Sequence, residues 1–232
     1  MLVWIWFKIQ KMPWQKRRIM KFPSTRNFFC LEGIDGSGKT TQLELLANAL
    51  EEKGYKVVKL REPGGAVISE HVRSILLNPA FKGIMDDSTE LLLYNAARAQ
   101  VIAEIILPAL ENGNIVLADR FAYSTLAYQG YGRGLSLKKV NELTAITCEK
   151  CFPELTLILD INAKQSKIRR SHRDETPDRL ESEADLFFDK VSEGYKQIAK
   201  ENPDTVCIFD AMLEKETIHQ KILEAVLLRL KP

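Results

Sequence analysis

Gly33-Ile34-Asp35-Gly36-Ser37-Gly38-Lys39-Thr40 is the stretch whose reading decides the fold. It fits G-x-x-x-x-G-K-[ST], and its flanks give that pattern a mechanical meaning. The apolar run Asn27–Glu32 before it reads as a buried strand. After it, Leu43, Leu46, Ala47 and Leu50 fall at i, i+3, i+4 and i+7, one face of a helix that ends near Gly54. Glycines let such a loop curl until successive N–H groups face phosphate oxygens, and the helix N-terminus adds its positive end. Lys39 would neutralise the β and γ phosphates, and the Thr40 hydroxyl would help hold Mg2+. Gly33, Ile34, Asp35, Gly36, Ser37, Gly38, Lys39, Thr40 and Thr41 are therefore the candidate contacts for ATP. A chance glycine-rich turn is the competing reading, and the strand before and helix after weigh against it.

Outward from the loop, short apolar runs alternate with longer helical patterns, the signature of parallel strands joined by helical crossovers. Strands are expected at Asn27–Glu32, Tyr55–Leu60, Asn114–Ala118, Leu155–Asp160 and Thr205–Phe209. A long helix, apolar on most faces and so largely buried, is expected over Ser88–Leu110. Further helices are expected at Leu137–Cys148, Ala163–Arg170, Glu183–Lys200 and Glu214–Leu230. These elements describe an α/β fold with a parallel sheet of about five strands and helices on both faces. Residues 26–232 show no repeat, linker or internal boundary and form one domain.

Composition narrows the function. The net charge of +2 hides an asymmetry, because residues 1–31 carry seven Lys and Arg and no acid, which leaves 26 basic against 31 acidic groups in the rest. A mildly acidic body argues against nucleic-acid binding. Residues 1–25 hold Trp4, Trp6, Phe7 and Trp14 among basic side chains, with no apolar stretch of membrane-spanning length. They read as a disordered basic extension, with Met20 an alternative first residue. Four cysteines are too few for a disulfide scaffold of this length, so a reducing, cytoplasmic setting is expected. Cys148 and Cys151 have no second pair to complete a zinc site and read as ordinary thiols.

The loop fixes a donor and leaves the reaction open, since GTPases, ATPases and small-molecule kinases all use it. No N-K-x-D segment follows to read guanine. Three other constellations place arginines where a second phosphate-bearing substrate could sit. Arg61-Glu62-Pro63-Gly64-Gly65 follows the second strand, Asp119-Arg120-Phe121 follows the third, and Tyr94 and Arg98 lie one turn apart on the long helix. Ligands of open α/β sheets bind beyond the carboxyl ends of the strands, so Arg61 and Arg120 should face the crevice beside the loop. Each arginine alone has an equal reading as a surface ion-pair partner, but a charge in an apolar helix is costly unless paired, which singles out Arg98. Asp119 ends a buried strand in the manner of a metal-orienting acid, making Thr40 and Asp119 the candidate metal groups.

In order and spacing these motifs resemble thymidylate kinase, a nucleoside monophosphate kinase. The match runs from about Phe28 to the C-terminus and takes in the phosphate loop, Arg-Glu-Pro-Gly-Gly, Leu-Leu-Tyr-Asn-Ala-Ala-Arg, Asp119-Arg120 with Ser124, Thr125 and Tyr128, and Gln129-Gly130-Tyr131-Gly132-Arg133-Gly134. The resemblance implies phosphorylation of dTMP to dTDP by ATP and Mg2+, a step towards dTTP. It implies that Arg61 and Arg120 hold the acceptor phosphate and that Tyr94 stacks on thymine. Arg98 would donate to O4, Thr125 would contact N3, Tyr128 would fill the space beside C2′, and Asp35 would meet the acceptor sugar or the metal. It also implies a homodimer. Rival readings are a kinase for UMP, CMP or AMP, or a nucleotide-dependent switch. Residues 169–181 are dense in charge, which by itself suggests a solvated face. The resemblance makes them a mobile lid. Because the phosphate loop carries no arginine, the lid would then supply the catalytic one, with Arg173 and Arg170 as candidates beside Lys39, Asp35 and Arg120.

Overall fold

A computed structural model describes residues 24–171 and 178–230. Five parallel strands form one sheet in the order β2-β3-β1-β4-β5. They are β1 (Thr25–Glu32), β2 (Val57–Arg61), β3 (Ile115–Asp119), β4 (Pro153–Asp160) and β5 (Val206–Asp210). The centre of the sheet is apolar on both faces, with Phe28, Phe29, Cys30, Leu31, Val116, Leu117 and Ala118 fully buried, as a sheet covered by helices on both sides requires. Register then aligns the strand ends. Leu31 pairs with Asp119, Asp119 with Arg61, and Glu32 with Ile158, so the phosphate loop leaves the sheet level with Arg61 and Asp119.

Helix α1 (Lys39–Glu51) follows the phosphate loop and buries Leu43, Leu46, Ala47 and Leu50, the four residues of the expected stripe. Two helices were not visible in the sequence pattern. One is α2 (Val67–Leu77), just after Gly64-Gly65. The other is α4, which begins at Ala122–Thr125 and continues without interruption into a π-helical turn, Leu126–Gly132. The long helix α3 (Asp87–Glu111) lies where expected, but less of it is buried than its composition suggests, and Leu92 stands in solvent. Among the described residues it alone is long and apolar enough to cross a membrane, and here it packs against α2 and α5 (Leu137–Thr147). Its α-helical winding is interrupted by a π-helical turn at Ile102–Ile106. Pro108 explains the interruption: it has no N–H to return to Glu104, and its ring crowds that carbonyl, so the preceding turn widens. The remaining helices are α6 (Ala163–Ser171), α7 (Asp185–Glu201) and α8 (Lys215–Leu230). Arg169 and Arg170, assigned above to the lid, belong to the last turn of α6.

Two glycines bring α4 and α7 together. A Cβ on Gly132 would sit 2.6 Å from the Phe187 ring, and one on Gly194 would sit 2.8 Å from the Tyr131 ring. In the glycine-rich run at 129–134, Gly130 and Gly132 lie within the helical part and clear space for Leu137 and Phe187. Gly194→Ala tests this contact. Helix propensity alone would reward the change by roughly 1 kcal/mol. Because the close atoms include Tyr131 Cβ, which cannot swing away, overpacking should prevail and lower stability by about 1–3 kcal/mol. Urea unfolding would read it, and a more stable variant would refute the close-packing account.

Candidate active site

The carboxyl ends of β1 and β3 and the loop after β2 enclose a cavity lined by Asp35, Glu62, Arg73, Tyr94, Arg120, Ser124, Thr125, Tyr128 and Gln129, with Asp178 and Leu180 closing one side. The phosphate loop forms its floor. Gly33 is there because of both its backbone and its neighbours: its φ is 135°, and a Cβ would lie 2.4 Å from the Leu159 carbonyl oxygen. Lys39 is buried and donates from Nζ to the Ile34 carbonyl at 3.1 Å, which folds it back over its own loop. Burial, reinforced by Arg120, lowers the Lys39 pKa. Thr40 donates through Oγ1 to Asp119 Oδ2 at 2.8 Å, so the two candidate metal groups are neighbours although 79 residues apart. No cluster of three or more metal-ligating side chains exists among the described residues. A hydroxyl and a carboxylate are hard oxygen donors suited to Mg2+ that also binds substrate phosphates.

Arg120 joins the two halves of the cavity. It has a φ of 74°, the left-handed region that a non-glycine residue enters at a cost on the order of 1–3 kcal/mol. From there its guanidinium donates to the Gly33 carbonyl (2.9 Å), to Asp35 Oδ1 (2.6 Å) and to the Tyr128 hydroxyl (3.1 Å). The Tyr128 hydroxyl donates in turn to Asp35 Oδ2 at 3.1 Å. Burial alone would raise the Asp35 carboxyl, but Arg120 and Lys39 outweigh it and hold the group well below the usual carboxylate range.

Other expected residues fall differently. Arg98 is 1% exposed and lies behind the cavity wall, donating to Glu62 Oε2 (2.9 Å), Thr125 Oγ1 (2.8 Å) and the Phe121 carbonyl (3.1 Å). Its Nη1 has no hydrogen-bond partner among the described residues. Burial lifts Glu62 to about 7 despite that arginine. Arg61, expected in the crevice, does not line the cavity; it is half exposed and donates to Glu70 at 3.2 Å and to the Pro63 carbonyl at 3.1 Å. Arg73 of α2 lines the cavity, with Nη1 donating to the Pro63 carbonyl at 2.9 Å. Sequence reasoning missed Arg73 because the helix that carries it was not anticipated. Gln129 entered the sequence reading only as the first residue of the glycine-rich run at 129–134, with no role of its own.

The segment around the lid divides into parts. Arg173 lies outside the described residues. Arg170 donates to the Glu181 carbonyl at 2.9 Å and stacks on the Phe188 ring, its Cζ 4.5 Å from the centroid. Arg169 reaches the Gly36 carbonyl of the phosphate loop at 3.4 Å and the Ala211 carbonyl at 2.8 Å, while Ser166 donates to the Asp35 carbonyl at 2.6 Å. Arg179 is buried, donating to the Leu76 carbonyl at 2.7 Å and pairing with Glu90 at 2.6 Å. Glu90 also accepts from Gln129 (2.7 Å) and Arg133 (3.1 Å), so the end of the charged segment is anchored through Glu90 to the cavity wall. Cys148 and Cys151 are fully buried thiols, pushed up to about 11 and about 12 by burial, which suits packing and opposes metal or redox chemistry.

Comparison with known proteins points to one family. The family profile described as thymidylate kinase matches residues 31–222. The thymidylate kinase of Kosmotoga olearia is 42% identical over 204 residues, covering 88% of this chain and 97% of that protein. That of Syntrophotalea carbinolica is 47% identical, covering 79% of this chain and 87% of its own. The crystal structure of thymidylate kinase from Ehrlichia chaffeensis superposes with a TM-score of 0.70 at 33% identity, covering 88% of this chain and 99% of that one. The chain belongs to the thymidylate kinase family.

Proposed function

We propose that this chain transfers the γ-phosphoryl group of ATP to dTMP, giving ADP and dTDP. The observation that carries the reading is Arg120, which touches the phosphate loop through Gly33 and Asp35 and the acceptor cavity through Tyr128. Backbone N–H groups of the loop and Lys39 bind the triphosphate. Arg120 and Arg73 give the cavity a positive wall for the acceptor phosphate, and an arginine meets phosphate with a fixed fork of donors. Tyr94 offers a ring for thymine to stack on. Thr125 lines the cavity and supplies the N3 contact, while Arg98, buried behind that wall, would have to bring its unpartnered Nη1 to the cavity to donate to O4. Cytosine carries an amine in place of O4, so donor would face donor and its monophosphate is disfavoured. Tyr128, held by Asp35 and Arg120, would fill the space beside C2′ of the acceptor. Arg61 reaches an acceptor phosphate only after leaving Glu70. A bound Mg2+ held by Thr40 and Asp119 would supply charge neutralisation at the phosphates.

No strong general base is required, because a phosphate nucleophile is already anionic at neutral pH. The chain's task is to align acceptor and donor, offset negative charge and exclude water. Arg170 and Arg173 are the candidates to reach the transferring group, and Arg170 would first exchange its contact with Glu181. A homodimer is part of the proposal. Ile68 and Ile75, two turns apart on α2, and Leu92 on the neighbouring α3 expose large apolar side chains that a second copy would cover. The extension expected over residues 1–25 stops short of Thr25, which begins β1 and pairs with Pro153, and the setting is taken as cytoplasmic, away from nucleic acid and membrane.

A coupled assay with ATP and dTMP, UMP, CMP or AMP tests the acceptor. Turnover should be greatest with dTMP; equal turnover of UMP would overturn the specificity assignment, and no stimulation by any monophosphate would overturn the kinase. For the lid, Arg170→Ala and Arg173→Ala are compared at saturating substrates, and at least one should lower kcat by about tenfold or more. If neither does, the transferring group is stabilised from elsewhere. The Asp35–Arg120 pair makes a pH prediction. Asp35 is held below its unfolded value of 3.8, so its contribution to stability is full above that pH and is lost as the pH falls towards the folded value. Asp35→Asn should therefore be less stable by about 2 kcal/mol near neutral pH. The difference should shrink at acid pH, as read by urea unfolding across a pH series, and a difference that stays constant would sink the assignment.

A further inference from the structure

Glu32 is the last residue of β1, is 0% exposed, and has no part in the chemistry above. A buried acid beside the phosphate loop invites a catalytic or metal-binding role, but Glu32 does not line the cavity and its oxygens are taken. Oε1 accepts the backbone N–H of Phe121 (2.9 Å) and of Ser124 (3.0 Å). Oε2 accepts the Ser124 hydroxyl (2.5 Å) and the Tyr195 hydroxyl (2.8 Å). With the Cys30 thiol also on Oε1 at 3.8 Å, five donors share two oxygens, which fills what a carboxylate can accept.

What those donors belong to gives Glu32 its meaning. Phe121 N–H is the amide directly after Arg120, whose own N–H donates to the Leu31 carbonyl at 2.9 Å. The strained residue is thus held on both sides, by the carbonyl of Leu31 and the side chain of Glu32. Ser124 N–H, which is shared with the Phe121 carbonyl at 3.1 Å, and the Ser124 hydroxyl lie in the first turn of α4. Two turns of that same helix carry Thr125, Tyr128 and Gln129 into the cavity. Ser124 Oγ also accepts from Arg120 Nη1 at 3.3 Å, and the Tyr195 hydroxyl lies 3.5 Å from the same nitrogen. One carboxylate therefore orders the backbone of Arg120, the direction of its guanidinium and the start of the helix that forms the acceptor wall. Since Gly33 follows Glu32 directly, the reference point for all three is the phosphate loop.

We infer that Glu32 is a positioning residue that sets the distance and orientation of the acceptor site relative to the ATP loop. The inference rests on the dTMP kinase reading for its kinetic consequence and on the hydrogen bonds alone for its structural one. A residue that merely stabilised the fold would, on substitution, weaken both substrates in parallel. A positioning residue for the acceptor side should separate them.

Glu32→Gln keeps the shape and one good acceptor oxygen while replacing the other by an amine that opposes the Ser124 and Tyr195 hydroxyls. Tyr195→Phe removes a single donor and is the milder variant should the first fail to fold. With wild-type enzyme as reference, Glu32→Gln should lower kcat/KM for dTMP by about tenfold or more, leave KM for ATP within about twofold, and do so well below its unfolding temperature. Tyr195→Phe should shift the same parameters in the same direction by less. Amide exchange is measured in parallel on the apo protein, where the Phe121 and Ser124 amides should exchange faster in Glu32→Gln while those of α1 do not. Equal losses for ATP and dTMP, or unchanged kcat/KM for dTMP, would overturn the inference. Wild-type protein inactive on dTMP would instead remove the kinase reading, and the exchange experiment would then decide the structural claim alone.

Discussion

Everything at this site depends on holding Arg120 in a backbone conformation it would not choose. At φ 74° it turns the chain sharply out of β3, and only from that turn can its guanidinium meet Gly33, Asp35 and Tyr128 together. Strain of this kind persists where the surroundings over-determine it. Here they do so through Leu31, Glu32, Gly33 and Asp35, four residues of β1 and the phosphate loop that contact Arg120 or its neighbour. The donor loop and the acceptor wall are consequently one rigid unit. For phosphoryl transfer that rigidity is useful, because there is little covalent chemistry to perform and the rate depends on alignment and charge.

The second unit of the site lies across the cavity. Its fixed point is Glu90, a buried acid on α3 that collects Gln129 from the wall, Arg133 just after α4, and Arg179 near the end of the charged segment. Such a network is costly to bury and sensitive to the loss of any member, since removing one partner leaves the others uncompensated. Its position is informative: Asp178 and Leu180, either side of Arg179, line the cavity, so the anchor of the charged segment and the acceptor wall share one ionic hub.

How far the site could be read in the sequence follows from the range of each signal. The phosphate loop is local, being a fixed spacing between a strand and a one-faced helix, and its glycines carry the reason for the pattern with them. The central strands β1 and β3 were legible for the same reason, since the four consecutive apolar residues at 28–31 and at 115–118 report burial on both faces. Arg73 and Arg179 were not, because a charged side chain shows its partner only after the chain has folded. Gln129 was hidden differently, as the first residue of a glycine-rich run. Gly130 and Gly132 of that run occur in a helical segment where they make room for Leu137 and Phe187. Arg98 was singled out correctly as a charge needing a partner, and Glu62 is that partner, 36 residues earlier.

The Arg98–Glu62 pair also shows what the protein gives up for function. A buried pair is often no more stable than apolar residues of the same volume, and this one leaves Arg98 Nη1 and Glu62 Oε1 without hydrogen bonds among the described residues. Ser37 Oγ, in the phosphate loop, and Arg170 Nε, beside it, are in the same condition. Buried polar atoms are usually satisfied, and exceptions call for a reason. These four lie next to the two places where phosphate and base would bind, and a polar ligand is what would complete them. Four more buried polar atoms, Gln42 Oε1, Thr144 Oγ1, Arg179 Nη2 and His219 Nδ1, also have no hydrogen bond among the described residues, so unsatisfied groups are shared between the site and the rest of the fold, while the sheet centre from Phe28 to Leu31 stays apolar.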